Sequence, residues 1–96
     1  MKSFVSALFV PFIFAKVNLI IDTDAGFDVD DIGALAVAHN LAKQGKAEIL
    51  ATIHCTGFDL GIAAVNVINT YYGRPEIPLG AYKGPFGKDY GELPWG

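Results

Sequence analysis

The sequence has only one cysteine, Cys55, and no apolar run approaching the ~20 residues needed to cross a bilayer. A single cysteine excludes an intramolecular disulfide, a CxxC redox pair and a thiolate zinc site. We expect Cys55 to be a small buried hydrophobe at a strand end. Basic residues are also few: the seven lysines and arginines are scattered from Lys2 to Lys88. No basic stripe could follow a phosphate backbone, so nucleic-acid binding is not expected.

The chain is rich in apolar residues, and half of its acidic residues are concentrated in one short segment. Its 96 residues are 52% hydrophobic, which argues against disorder and predicts one small domain with a modest core. The net charge is only −3, yet five of the ten acidic residues lie between Asp22 and Asp31. The negative charge therefore marks a site rather than a general surface property.

The N-terminus resembles a secretory signal peptide. Lys2 is followed by an apolar run from Ser3 that ends at the small residue Ala15. We interpret residues 1–15 as a signal peptide and expect an exported or secreted protein without a stable membrane anchor. The alternative is that this segment forms an extra strand or helix of the domain.

Strand and helix patterns alternate after residue 16. β-Branched or apolar runs predict strands at 17–21, 47–53 and 79–82, and helical spacing predicts helices at 32–43 and 62–72. Gly45 and Gly73 are predicted to end the two helices. This order is typical of an α/β fold with a Rossmann-like βαβαβ parallel sheet, whose ligands bind at the carboxyl ends of the strands. Residues 84–96 have the character of a loop.

Four carboxylates, those of Asp24, Asp28, Asp30 and Asp31, follow the first predicted strand. Like charges placed so close repel each other unless a cation neutralises them. Oxygen ligands without nearby cysteine or histidine favour Ca²⁺ or Mg²⁺ over zinc. An EF-hand is excluded, because Phe27 and Gly33 occupy the positions that require glycine and glutamate.

A purely structural reading of the same loop assigns each aspartate a local role. Asp28 would cap the following helix, Asp30 and Asp31 would lie in its first turn, and Asp22 and Asp24 would be turn residues. Each role is reasonable alone, but five acidic positions in one loop favour a site. For His39 and His54 the structural interpretation, a hydrogen-bonded core or edge histidine, is preferred.

The order Asp22-Thr23-Asp24, Gly26, and Asp30-Asp31 before Ile32-Gly33-Ala34-Leu35 resembles the N-terminal motif of the inosine-uridine preferring nucleoside hydrolase family. The Tyr71–Gly80 segment is similar to that family in order and spacing. The resemblance covers about Val17–Lys83, so residues 16–83 would be the N-terminal part of a nucleoside hydrolase domain. It implies hydrolysis of the N-glycosidic bond of purine or pyrimidine ribonucleosides by a calcium-bound water.

The resemblance also implies residue roles. Asp24 would bind Ca²⁺ and act as the base for water, and Asp31 would be a second calcium ligand. Asp30, or alternatively Asp28 because this loop is longer than the usual motif, would hold ribose hydroxyls. Asp59 would stand in for an asparagine that usually contacts the sugar. The expected partner is a small ribonucleoside, and a homo-oligomer is compatible with the sequence.

Two other functions fit parts of the sequence. Asp22 and Asp24 after a strand could be the nucleophile and acid of a Mg²⁺-dependent haloacid-dehalogenase-like phosphatase, although Gly26 stands where threonine or valine is usual. The chain could also be a non-catalytic remnant that binds calcium or ribose. Members of the resembled family take further calcium ligands from a late aspartate beside a late histidine, and neither is found in these 96 residues. We therefore expect a fragment of an incomplete fold.

The resemblance predicts little or no ribose release from inosine or uridine by this chain in the presence of calcium. Two aspartates cannot provide the six to eight oxygens that Ca²⁺ prefers. A reducing-sugar assay checks this expectation, with a buffer blank and a no-calcium sample as controls. Robust calcium-dependent turnover would contradict the predicted need for further residues.

Overall fold

A computed structural model describes residues 15–26, 28–58 and 60–84. Except for Ala15 and Gly84, the predicted signal peptide and the predicted loop-like tail lie outside these residues, as does Asp59. Strands and helices alternate as predicted, in the order β1 (Val17–Thr23), α1 (Asp30–Lys43), β2 (Ala47–His54), α2 (Gly61–Tyr71) and β3 (Leu79–Ala81). None of the helices in the described ranges is long and apolar enough to cross a membrane.

The strands form one parallel sheet in the order β1-β2-β3, which confirms the predicted α/β class. β1 and β2 pair along their whole length, with a register shift between Leu19 and Ile20. At the carboxyl end Thr23 pairs with His54, and His54 pairs with Ala81. The ends of the three strands therefore form one row, and the segments that follow them meet at this edge.

The element boundaries differ slightly from the predicted ones. β1 continues to Thr23, and α1 begins at Asp30, so that Asp30 and Asp31 occupy its first turn. Val29 stands at the N-cap position of α1 and no side chain caps the helix, so the alternative that Asp28 caps it is wrong. Gly45 and Gly73 adopt positive φ angles of 72° and 75° after the two helices, as predicted.

The core lies between the sheet and a single layer formed by both helices. One cluster joins Ala25 to Leu35 and Val65 from α1 and α2, and a second joins α1 to Ile49 of β2. Ile21 of β1 packs against both clusters. Within the described residues Ile20 stays 64% exposed, so the helices cover one face of the sheet only.

A chain of buried polar groups links this helical layer to the sheet. Asn69 of α2 accepts a hydrogen bond from the His39 ring at 2.8 Å and donates one to Thr52 Oγ1 at 3.2 Å. Tyr72 stacks on the His39 ring with centroids 4.6 Å apart. Among the described residues every buried side-chain nitrogen or oxygen has a hydrogen-bond partner. The His39–Asn69–Thr52 network thus joins both helices to β2. The structural interpretation of His39 is confirmed.

Substituting Asn69→Ala should lower the free energy of unfolding by about 1–3 kcal/mol, because it leaves His39 and Thr52 buried without their partner. Asn66→Ala, on the exposed side of the same helix, is the matched control and should change it by less than about 0.5 kcal/mol. Urea unfolding of both variants provides the comparison. Equal stability losses would contradict the structural role of the Asn69 network.

Candidate acidic site

The acidic loop lies at the carboxyl edge of the sheet, where β1 ends beside the last residue of β2. The apolar β-branched run of β1 is half-buried or exposed up to Asp22, and Thr23 is then buried at the strand end. The chain turns through Ala25, which is fully buried in the core beneath α1 and α2. Packing of Ala25 therefore anchors the turn, while Asp24, Asp28 and Asp30 remain exposed.

The Asp31 carboxylate connects the end of β1 to the first turn of α1. Its Oδ2 accepts a hydrogen bond from Thr23 Oγ1 at 2.8 Å and one from the Asp24 backbone N–H at 2.8 Å. Thr23 Oγ1 in turn accepts the Ala25 N–H at 3.1 Å. These bonds fix the backbone on both sides of Asp24. Thr23 was not predicted to take part in the site.

Two pairs of carboxyl groups meet in this loop. A hydrogen bond with Asp31 is the main cause that raises the pKa of Asp24 above its usual value, and the same bond lowers the pKa of Asp31. A hydrogen bond with Asp30 likewise raises the pKa of Asp28. The structure thus brings Asp24 to Asp31 and Asp28 to Asp30. Asp28 and Asp30, the two alternatives for the ribose contact, are neighbours here.

The oxygen ligands in this loop are of the kind that a hard cation prefers, but there are too few of them to complete its coordination. Asp24 and Asp31 lie together, joined by the bond from the Asp24 N–H to Asp31 Oδ2, and both offer carboxylate oxygens of the kind that Ca²⁺ prefers. Among the residues that the structure describes, no three histidine, cysteine, aspartate or glutamate side chains converge as metal ligands. The described part of the loop therefore provides a pair of ligands, not a closed site.

Asp22 differs from the other aspartates in its neighbour. Its carboxylate lies near the Cys55 thiol, whose pKa is raised mainly by partial desolvation and then by the charge of Asp22. Cys55 is exposed, so the prediction that it is buried is wrong. It follows β2 and lies outside the single face that the helices cover. Asp22 is thus engaged with the loop after β2.

His54 is the last residue of β2 and only 1% exposed. Its Nε2 lies 3.0 Å from the Ala25 carbonyl oxygen, so the ring reaches into the acidic loop from the neighbouring strand. The preferred interpretation of His54 as a hydrogen-bonded structural histidine is confirmed. Its partner, however, belongs to the turn that carries Asp24.

A separate cleft lies at the C-terminal ends of α1 and α2. It has a volume of about 490 Å³ and is lined by His39, Ala42, Lys43, Tyr71, Tyr72 and Arg74. The His39 ring is bonded to Asn69, and the Arg74 guanidinium pairs with Glu48 and Glu76. Because the His39 ring and the Arg74 guanidinium are already held by these internal partners, we place the candidate site at the acidic loop.

Comparison with protein-family models gave no match, and searches of curated proteins and of solved structures gave none either.

The carboxyl pair predicts the behaviour of Asp24→Asn in calcium-free buffer. The raised pKa of Asp24 means that folding disfavours its charge, so wild-type stability from this group rises as the pH falls through that pKa and levels off below the usual value of 3.8. The variant should be as stable as the wild type at pH 7, or more stable by up to about 1 kcal/mol, since exposed charges are screened. This advantage should shrink over the same pH range.

Urea unfolding at pH 7 and at pH 4 measures the effect on both proteins. Asp22→Asn is the control, because Asp22 is an exposed aspartate near the end of β1 that is not a cause of the raised pKa of Asp24. A clear loss of stability in Asp24→Asn at pH 7 would contradict the repulsion inferred between Asp24 and Asp31.

Proposed function

We propose that the acidic loop is the cation- and sugar-binding half of a nucleoside hydrolase active site, which cleaves the N-glycosidic bond of a ribonucleoside with water. The observation that carries this proposal is the Asp24–Asp31 pair, held at the carboxyl edge of a parallel sheet by hydrogen bonds to Thr23 and to the Asp24 N–H. The same two positions match the calcium ligands of the family that the sequence resembles.

The two carboxylates have environments suited to different tasks. The interaction with the Asp24 side chain, and then the hydrogen bonds from Thr23 and from the Asp24 N–H, lower the pKa of Asp31, so it would be a constant negative ligand. Asp24 has a raised pKa and is exposed, so it is the better acceptor for a proton from the attacking water. A bound Ca²⁺ would lower the pKa of that water.

The second carboxyl pair suits the sugar. Asp28 and Asp30 are exposed at the start of α1, and each can accept hydrogen bonds from the vicinal hydroxyls of a ribose. The sequence leaves the ribose contact open between them because the loop is longer than the usual motif, and in the structure the two carboxyl groups are neighbours. In this proposal one of the two carboxylates accepts hydrogen bonds from the sugar hydroxyls, and the other holds that carboxylate in place. Asp59, the third residue expected to contact the sugar, lies outside the described residues.

The remaining oxygens for a calcium ion would come from water, from substrate hydroxyls and from groups other than the described side chains. Six to eight ligands are usual, and a site with two carboxylates is expected to bind weakly, with a dissociation constant on the order of 10⁻⁴–10⁻³ M or above. Calcium binding is therefore a better first test of this chain than turnover.

The position of Asp31 favours the hydrolase over the phosphatase. A phosphatase of the haloacid-dehalogenase type would use Asp22 as its nucleophile next to Asp24 and gives Asp31 no role. In the structure the hydrogen bonds of the loop converge on Asp31, which accepts from Thr23 Oγ1 and from the Asp24 N–H. A non-catalytic protein that binds calcium or ribose would use the same carboxylates, so only turnover separates it from the enzyme.

Isothermal titration with calcium tests the proposed site. Wild-type protein should bind with a dissociation constant of about 10⁻⁴–10⁻³ M, and Asp24→Ala and Asp31→Ala should each weaken binding at least about tenfold, because each removes a charged ligand. Asp22→Asn is the matched control and should bind calcium normally.

Unchanged binding in Asp24→Ala would rule out the proposed ion site. Phosphate-ester turnover in wild-type protein that is lost in Asp22→Asn would support the phosphatase in its place.

A further inference from the structure

His54 occupies the most enclosed position next to the acidic loop. Its ring is 1% exposed, and its Nε2 lies 3.0 Å from the Ala25 carbonyl oxygen, 29 residues away in sequence. A carbonyl oxygen can only accept a hydrogen bond, so Nε2 must carry a hydrogen and donate it. This bond joins a side chain to the backbone and is shielded from solvent.

Gly61, the first residue of α2, makes room for this ring. A Cβ at position 61 would lie 1.9 Å from His54 Nε2 and 2.2 Å from Cε1, which no real contact allows. Because the ring is fully buried, it has no free space into which to retreat. The glycine is therefore needed for His54 to reach Ala25.

The turn held by His54 is also confined from its other side. Gly26 has a φ of 145°, and a Cβ there would lie 2.8 Å from two ring atoms of Phe58. The chain at 25–26 is thus enclosed between the His54 ring and the Phe58 ring. Both aromatic rings come from the segment at the end of β2, so this segment shapes the turn after Asp24.

Hydrogen bonds connect this turn to the carboxyl pair. The Ala25 N–H is bonded to Thr23 Oγ1, which donates to Asp31, and the Asp24 N–H also donates to Asp31. The peptide unit of Ala25 is therefore held at its N–H by Thr23 and at its carbonyl by His54. A shift of this unit would move the backbone of Asp24 relative to Asp31.

We propose that His54 is a positioning residue of the acidic site. Its buried ring, for which Gly61 leaves space, holds the Ala25 carbonyl. In this way it sets the distance between the Asp24 and Asp31 carboxylates. The proposal rests on the proposed function only where it concerns calcium. The geometric part concerns the metal-free loop and has its own measurement.

Amide hydrogen exchange at Asp24 and Ala25 in calcium-free buffer measures how firmly the loop is held. His54→Leu removes the donor and Gly61→Ala displaces the ring, so both should accelerate exchange at these two amides by about tenfold or more. His54→Gln can still present an amide N–H to the Ala25 carbonyl and should restore slow exchange. The shorter His54→Asn should not.

Asn69→Ala is the control, because it disturbs a buried hydrogen-bond network in the same layer with no bond to the loop. Each exchange rate is compared with the global stability from urea unfolding, so that a general loss of stability is subtracted. Should His54→Leu fail to fold, the comparison of His54→Gln with His54→Asn decides. Equal exchange at Asp24 in these two variants, or acceleration by Asn69→Ala equal to that in His54→Leu, would overturn the proposal.

Calcium titration of the same variants gives the second readout. His54→Leu and Gly61→Ala should weaken calcium binding about tenfold, and His54→Gln should keep it within about threefold of wild type, since a tenfold change corresponds to about 1.4 kcal/mol. If wild-type protein binds no calcium while the exchange pattern holds, the proposed function fails and the positioning role of His54 stands. Normal calcium binding in a folded His54→Leu would refute that role.

Discussion

The acidic site depends on the hydrogen bonds that the Asp31 carboxylate accepts. It lies in the first turn of α1, where the helix N-terminus favours a negative charge, and it accepts hydrogen bonds from the Thr23 hydroxyl and the Asp24 N–H. No side chain caps α1, and the Asp31 bonds join the first turn of this helix to the end of β1. Together with the packing of Ala25 against Leu35 and Val65, they fix the turn after β1 relative to the helix.

The sequence predicts the architecture well because its signals are local. β-Branched runs, an alanine-rich helix and glycines after each helix predict the alternating order, and a parallel sheet brings the strand ends together. The prediction that Cys55 is buried is wrong, because burial depends on which faces of the sheet are covered by other segments. A buried parallel strand is expected to be covered on both faces, but the described helices lie on one face only, and neither Ile20 nor Cys55 is enclosed.

The site is predictable only in part, for a similar reason. The spacing of Asp24 and Asp31 identifies a charged pair, and the structure brings the two together. The roles of Thr23, His54 and Gly61 depend on contacts between segments that are distant in sequence, so their residue types give no local signal. A threonine between two aspartates at a strand end was the one available hint, because a hydroxyl there can bond to both backbone and carboxylate.

The opposite pKa shifts of Asp24 and Asp31 follow from this same geometry. Both are aspartates in one loop, and their mutual hydrogen-bond interaction raises the pKa of Asp24 and lowers that of Asp31, which also receives donors from Thr23 and the Asp24 N–H. Environments that separate the pKa values of neighbouring carboxyl groups are how proteins give one a fixed charge and the other a proton to exchange. The separation depends on the Asp24 backbone staying next to Asp31, and His54 holds the next peptide unit in place from β2. The hydrogen bonds that position Asp24 therefore continue from the loop to His54 in β2.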